Sequence, residues 1–172
     1  VGRLVAEKGL ETLLEAVAVL RKKRTVQVIL VGDGPLRNKL LTRTYALGIS
    51  DQVSFKFNID RSGVSRLLRE SQIFVLPSLK EGLPTALLEA MASANTIIAS
   101  KLPSIEETLG DYGLYFAPGQ PQELANLLSE VLSDKELQRS RGHRARQIVE
   151  ENFGWNIVLP MLEDLYKEVV VE

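Results

Sequence analysis

Apolar positions along the chain switch repeatedly between two spacings. Leu10, Leu13, Leu14, Val17, Ala18 and Leu20 recur every three or four residues, with Glu11, Glu15, Arg21 and Lys22 between them, as in an amphipathic helix with one buried face. Residues 26–31 then form a short β-branched run closed by Gly32-Asp33-Gly34, which predicts a buried parallel strand ending in a tight turn. Pro35 suits the first turn of a helix that the pattern carries to about Leu47, with Gly48 as its stop, and residues 53–57 read as the next strand. The alternation continues with a helix near 62–70, a strand at 73–76, a helix near 84–94, a strand at 96–99, a short helix near 105–109 and a strand at 114–116. Strands separated by helices predict an α/β fold: a Rossmann-like parallel sheet with helices on both faces. Past Pro118-Gly119 the pattern is wholly helical. Leu124, Leu127, Leu128, Val131 and Leu132 form one stripe, a more polar helix spans 137–149, and Trp155, Val158, Leu159, Leu162, Leu165 and Val169 form a third series that Pro160 is expected to kink. No repeat, low-complexity tract or linker divides the chain, so residues 1–172 are expected to form one domain.

Composition narrows the chemistry. With 172 residues, 45% of them apolar, the chain can bury a substantial core. Its 21 Lys and Arg nearly balance 22 Asp and Glu, so no global field attracts nucleic acid, and any anion must be gathered by a local site. The absence of cysteine excludes disulfides and thiol catalysis, and a single histidine, His143, excludes a His-rich metal centre; no metal site is expected. No apolar run approaches the roughly 20 residues of a membrane-spanning helix. The opening Val1-Gly2-Arg3-Leu4 has no initiator Met or leader and reads as the end of a strand running into a loop, as in a piece of a longer protein. The expected location is the cytoplasm, with any contact to the inner face of a membrane falling to the missing part.

Ligands of open α/β sheets gather at the carboxyl ends of the strands, and two loops there are chemically loaded. In the first, residues 2–9, glycines flank a loop that carries Arg3 and Lys8 directly before a helix. Two cations and free amides at a helix start suit a diphosphate, although solvated surface charges would give the same pattern. In the second, residues 77–92, the helix from Pro84 onward is apolar or small on almost every side except at Glu89, and so is expected to be buried. A lone carboxylate there would require a polar ligand or an internal partner. Glu81 precedes the helix, and Gly82 lets backbone approach closely beside the free amides of the first turn. Capping by Glu81 and an internal partner for Glu89 is the plainer alternative. Gly32-Asp33-Gly34-Pro35 lacks the third glycine and the later acidic residue of a dinucleotide fingerprint, which argues against a dehydrogenase. Arg21-Lys22-Lys23-Arg24 reads as a solvated helix end, His143 as an exposed helical residue, and Trp155 as core or as a contact for a partner domain.

Four blocks in order carry a resemblance: Gly2-Arg3-Leu4 with Glu7-Lys8-Gly9-Leu10; Val31-Gly32-Asp33-Gly34-Pro35-Leu36; Leu76-Pro77-Ser78-Leu79-Lys80-Glu81-Gly82-Leu83-Pro84; and Leu88-Glu89-Ala90-Met91-Ala92. Together they resemble the donor-binding, carboxy-terminal half of retaining GT-B glycosyltransferases of glycosyltransferase family 4, and Glu81 and Glu89 match that family's E-x7-E spacing. The resemblance implies that Arg3 and Lys8 hold a nucleotide diphosphate, with Gly2 in the same loop. It implies that Glu81 faces the sugar hydroxyls, Glu89 the ribose, and Gly82, Leu83, Pro84 and Thr85 the diphosphate and sugar, with the backbone near Ile59 meeting the base. It further implies a UDP- or GDP-sugar as donor, no cofactor, and an acceptor bound by a missing amino-terminal domain, to which the helix beginning at Phe153-Gly154-Trp155 would cross back. Three positions depart from the family pattern: Phe57 and Ala94 stand where glycine is usual, and residues 101–106 replace a glycine-rich loop. These departures sustain two alternatives, a non-catalytic nucleotide- or partner-binding module and a different GT-B activity such as UDP-sugar epimerisation.

Overall fold

A computed structural model describes residues 1–170, with side chains to Val169. The elements follow the expected alternation: α1 (Leu10–Leu20), β1 (Val28–Val31), α2 (Arg37–Ala46), β2 (Val53–Lys56), α3 (Arg61–Glu70), β3 (Ile73–Leu76), α4 (Thr85–Ala92), β4 (Thr96–Ser100), α5 (Pro103–Leu109), β5 (Leu114–Phe116), α6 (Pro121–Ser133), α7 (Lys135–Phe153) and α8 (Trp155–Val170). Boundaries move by a few residues where side-chain caps decide them. The Asp60 carboxylate accepts from the Gly63 amide at 2.9 Å and starts α3, and these bonds, with one from Ser62, hold its carboxyl below the usual value. Asp134 does the same for α7 through the Glu136 and Leu137 amides.

Every strand pairing is parallel, but the sheet is in two pieces, β1-β2 and β3-β4-β5. They act as one layer because the same apolar cluster spans both. Leu30 and Val53 from the first piece pack with Ile98 and Phe116 from the second, under Leu14 and Val17 of α1 and Leu124 of α6. Burying each such side chain contributes about 1.5–3 kcal/mol. The opposite face sets Phe74, Leu76, Ile97 and Ala99 against Leu87 and Met91 of α4, Ile105 of α5 and Ile148 of α7. Helices therefore cover both faces, as the alternation predicts.

Two expectations need correction. The helix holding Glu89 is not buried all round: Leu87, Ala90 and Met91 face the core, whereas Thr85, Glu89 and Ala92 are exposed. Trp155 is not a core residue but is 73% exposed, on a helix whose Met161 and Tyr166 are also mostly in solvent. Pro160 lies inside that helix, α8. Ala94, one of the departures from the family pattern, takes φ +57°, the left-handed conformation that glycine would adopt without strain.

Candidate functional site

The loop of residues 2–9 is stitched into the sheet on both sides. Toward β1, the Gly2 amide donates to Val31 C=O and the Leu4 amide to Asp33 C=O, each at 2.9 Å. Gly32 permits that approach, since a Cβ at its φ of +128° would lie 1.9 Å from the Gly2 oxygen. The Gly-Asp-Gly turn thus has a packing role here. Toward β3, the Leu79 amide donates to Glu7 C=O at 2.7 Å, and Gly9, at φ +57°, sits so close that a Cβ would meet the Pro77 oxygen at 2.0 Å. The two loops singled out in the sequence therefore form one corner at the carboxyl ends of β1 and β3.

Within this corner Lys8 Nζ donates to Glu81 Oε1 at 2.6 Å, and Ser78 Oγ donates to the same oxygen at 2.6 Å. Ser104 Oγ holds the Glu81 carbonyl at 2.9 Å. The side chain of Glu81 is only 7% exposed and that of Lys8 27%, so charge and hydrogen bonding both favour the pair over separate solvation. Glu81 Oε2 accepts no hydrogen bond among the described residues, which leaves it available to a ligand hydroxyl. The resemblance implies different ligand groups for Lys8 and Glu81; the structure joins the two side chains directly. Ser78 and Ser104 are not among the residues that the resemblance marks. A hydroxyl three residues before Glu81 in a loop was a usable signal for Ser78, but Ser104 is brought in only by tertiary folding.

Around this corner lies an open rim. Arg3 is exposed and makes no side-chain hydrogen bond or ion pair among the described residues. Glu89, expected to be buried, is exposed and makes no side-chain hydrogen bond or ion pair among the described residues. Gly82, Leu83 and Thr85 are exposed, Pro84 is buried, and the Leu87 amide closes the first turn on Pro84 C=O at 2.9 Å, so the Thr85 and Ala86 amides have no helical partner. Ile59 sits apart, after β2, with its Cγ2 against Gly63 of α3. Beside it the Arg37 guanidinium lies 3.6 Å above the Phe57 ring, and Arg37 also pairs with Asp33 at 3.1 Å. His143 is exposed and meets only Gln147, at 3.3 Å.

Two cations, unpaired helix-start amides and two carboxylates with free acceptor capacity suit a ligand that carries both an anion and hydroxyl groups. Residues 1–148 match the family described as glycosyl transferases group 1. The N-acetyl-alpha-D-glucosaminyl L-malate synthase of Bacillus anthracis is 32% identical over 165 residues, covering 95% of this chain and 43% of that protein. Among solved structures, sucrose-phosphate synthase from Thermosynechococcus elongatus has a TM-score of 0.91 at 27% identity, over 99% of this chain and 44% of that one. Anabaena HepE in complex with UDP-glucose has a TM-score of 0.86 at 25% identity, over 96% of this chain and 47% of that one. The chain spans less than half the length of the curated relatives it matches.

Proposed function

The chain belongs to the glycosyl transferases group 1 family, and from that premise we propose that it is the nucleotide-sugar-binding half of a retaining glycosyltransferase. The whole protein moves a hexose from a UDP- or GDP-sugar to an acceptor held by an amino-terminal domain, in the cytoplasm, and the isolated half does not turn over. The observation that carries this reading is the corner in which Lys8 and Ser78 both bond Glu81 Oε1 and leave Oε2 open. A diphosphate entering from the rim meets Arg3, the Thr85 and Ala86 amides and the Lys8 ammonium. Negative charge grows on that diphosphate as the glycosidic bond breaks, and the two cations offset it without a metal ion. Glu81, held in place by Ser78 and Ser104, accepts from sugar hydroxyls. Glu89 accepts from the ribose, Gly2, Gly82, Leu83 and Pro84 line the donor, and the backbone near Ile59 meets the base. HepE, whose complex contains UDP-glucose, supports this class of donor.

Titration calorimetry of the longer protein with UDP, GDP and ADP tests the assignment. The Arg3→Ala, Lys8→Ala double variant is expected to lose at least roughly a hundredfold in affinity for the preferred nucleotide, as two charge-assisted contacts disappear; unchanged affinity would remove the diphosphate site from this corner. A second reading, nucleotide binding without transfer, is favoured by the Arg37–Phe57 stack at a position where the family pattern has glycine. A longer protein that binds nucleotide yet neither transfers nor hydrolyses a donor sugar would establish it.

A further inference from the structure

Between β3 and α4 the chain runs through residues 80–83 with almost no main-chain support. The Leu79 amide reaches Glu7 C=O and the Pro84 carbonyl receives the Leu87 amide, but among the described residues no main-chain group of residues 80–83 bonds another main-chain group. One tether takes the place of such bonds: Ser104 Oγ donates to the Glu81 carbonyl at 2.9 Å. Its support is firm. Ser104 lies in the first turn of α5, whose Ile105 and Leu109 are buried in the cluster shared with α4, and its own carbonyl accepts from Thr108 Oγ1 at 2.8 Å. The tether also belongs to residues 101–106, the stretch in which this chain departs from the glycine-rich family pattern.

The peptide between Glu81 and Gly82 is planar and trans, so its C=O and N–H lie on opposite edges. With the carbonyl held toward α5, the Gly82 N–H is turned away from it. Without that bond the peptide is free to rotate, because glycine accepts either orientation and a Cβ at Gly82 would meet nothing within 4 Å. The Gly82 amide is exposed and bonds no main-chain acceptor among the described residues. We propose that Ser104 is a positioning residue for sugar recognition: it fixes the Glu81–Gly82 peptide so that the Gly82 amide is presented to the donor's sugar. This rests on the reading that Glu81 faces the sugar. A sugar hydroxyl both donates and accepts, and residues 81 and 82 then offer it an acceptor, Oε2, and a donor, the Gly82 N–H. A diphosphate only accepts, and gains nothing from Oε2. Ser78 and Ser104 divide the task, one holding the side chain of Glu81 and the other its main chain.

The test titrates UDP, UDP-glucose, GDP and GDP-mannose into the longer protein by calorimetry, for wild type, Ser104→Ala and Ser104→Thr. Ser104→Ala is expected to bind the preferred nucleotide as wild type does and to lose at least roughly fivefold in affinity for its sugar ester, the worth of one hydrogen bond. Ser104→Thr keeps the hydroxyl and retains the preference. A wild type that binds neither sugar ester more tightly than its nucleotide, an unchanged preference in Ser104→Ala, or equal losses in both variants overturns the proposal. The Arg3→Ala, Lys8→Ala variant separates the two levels. If it loses nucleotide while Ser104→Ala behaves as wild type, the donor site stands and the role of Ser104 falls; if it binds nucleotide as wild type does, the donor reading fails and the proposal with it. Should Ser104→Ala not fold, amide hydrogen exchange at Gly82 in the wild-type protein decides: slowing by the sugar ester beyond that by the nucleotide supports the proposal, and equal rates with the two ligands overturn it.

Discussion

Glu81 and Glu89 stand on either side of the start of one helix, and their surroundings are opposite. Glu81 is nearly closed off from water and takes two 2.6 Å hydrogen bonds on a single oxygen. Glu89 is exposed and contacts no partner among the described residues. The first carboxylate is positioned by the protein itself, whereas the second is left to solvent. The same contrast extends to their neighbourhoods. The corner is backbone packed against backbone, with Gly9 pressed on the Pro77 oxygen, and the rim is so open that a Cβ on Gly82 would meet nothing within 4 Å. Preorganised groups contribute where geometry must be fixed, and open ones where a ligand must enter.

The largest effect should come from putting a methyl group into each region. Gly9→Ala adds left-handed strain and a clash with backbone that cannot move away, and is expected to cost more than about 2 kcal/mol in urea unfolding, against within about 0.5 kcal/mol for Gly82→Ala. Comparable losses at both sites would erase the distinction. Next come the cations. Lys8→Ala leaves a nearly buried carboxylate short of its charged donor and is expected to cost about 1–2 kcal/mol, while Arg3→Ala should stay within about 0.5 kcal/mol.

The elements were legible because each helix and strand declares itself locally. Leu10 to Leu20 carries a 3.6-residue period and residues 28–31 a compact β-branched run. The family blocks likewise marked both loops of the corner. What the sequence hid depends on distant partners. Ser104 reaches the Glu81 carbonyl only through tertiary folding, which no local pattern encodes. Glu89 was misjudged because Ala86, Ala90 and Ala92 look alike in a helical pattern, yet Ala90 is buried and Ala92 exposed; small residues signal burial weakly. Trp155 left two readings, core or a contact for a partner domain, and its 73% exposure removes the first.

The central claim is that the closed carboxylate reads the sugar and the open one reads the nucleotide. Calorimetric titration of UDP and UDP-glucose into the longer protein, with Glu81→Gln and Glu89→Gln compared against wild type, tests it most directly. Glu81→Gln is expected to retain UDP affinity while losing the preference for UDP-glucose over UDP, and Glu89→Gln to weaken both ligands alike by roughly tenfold, the worth of one charge-assisted hydrogen bond. If both variants bind both ligands as wild type does, neither carboxylate reads the donor and the account is wrong.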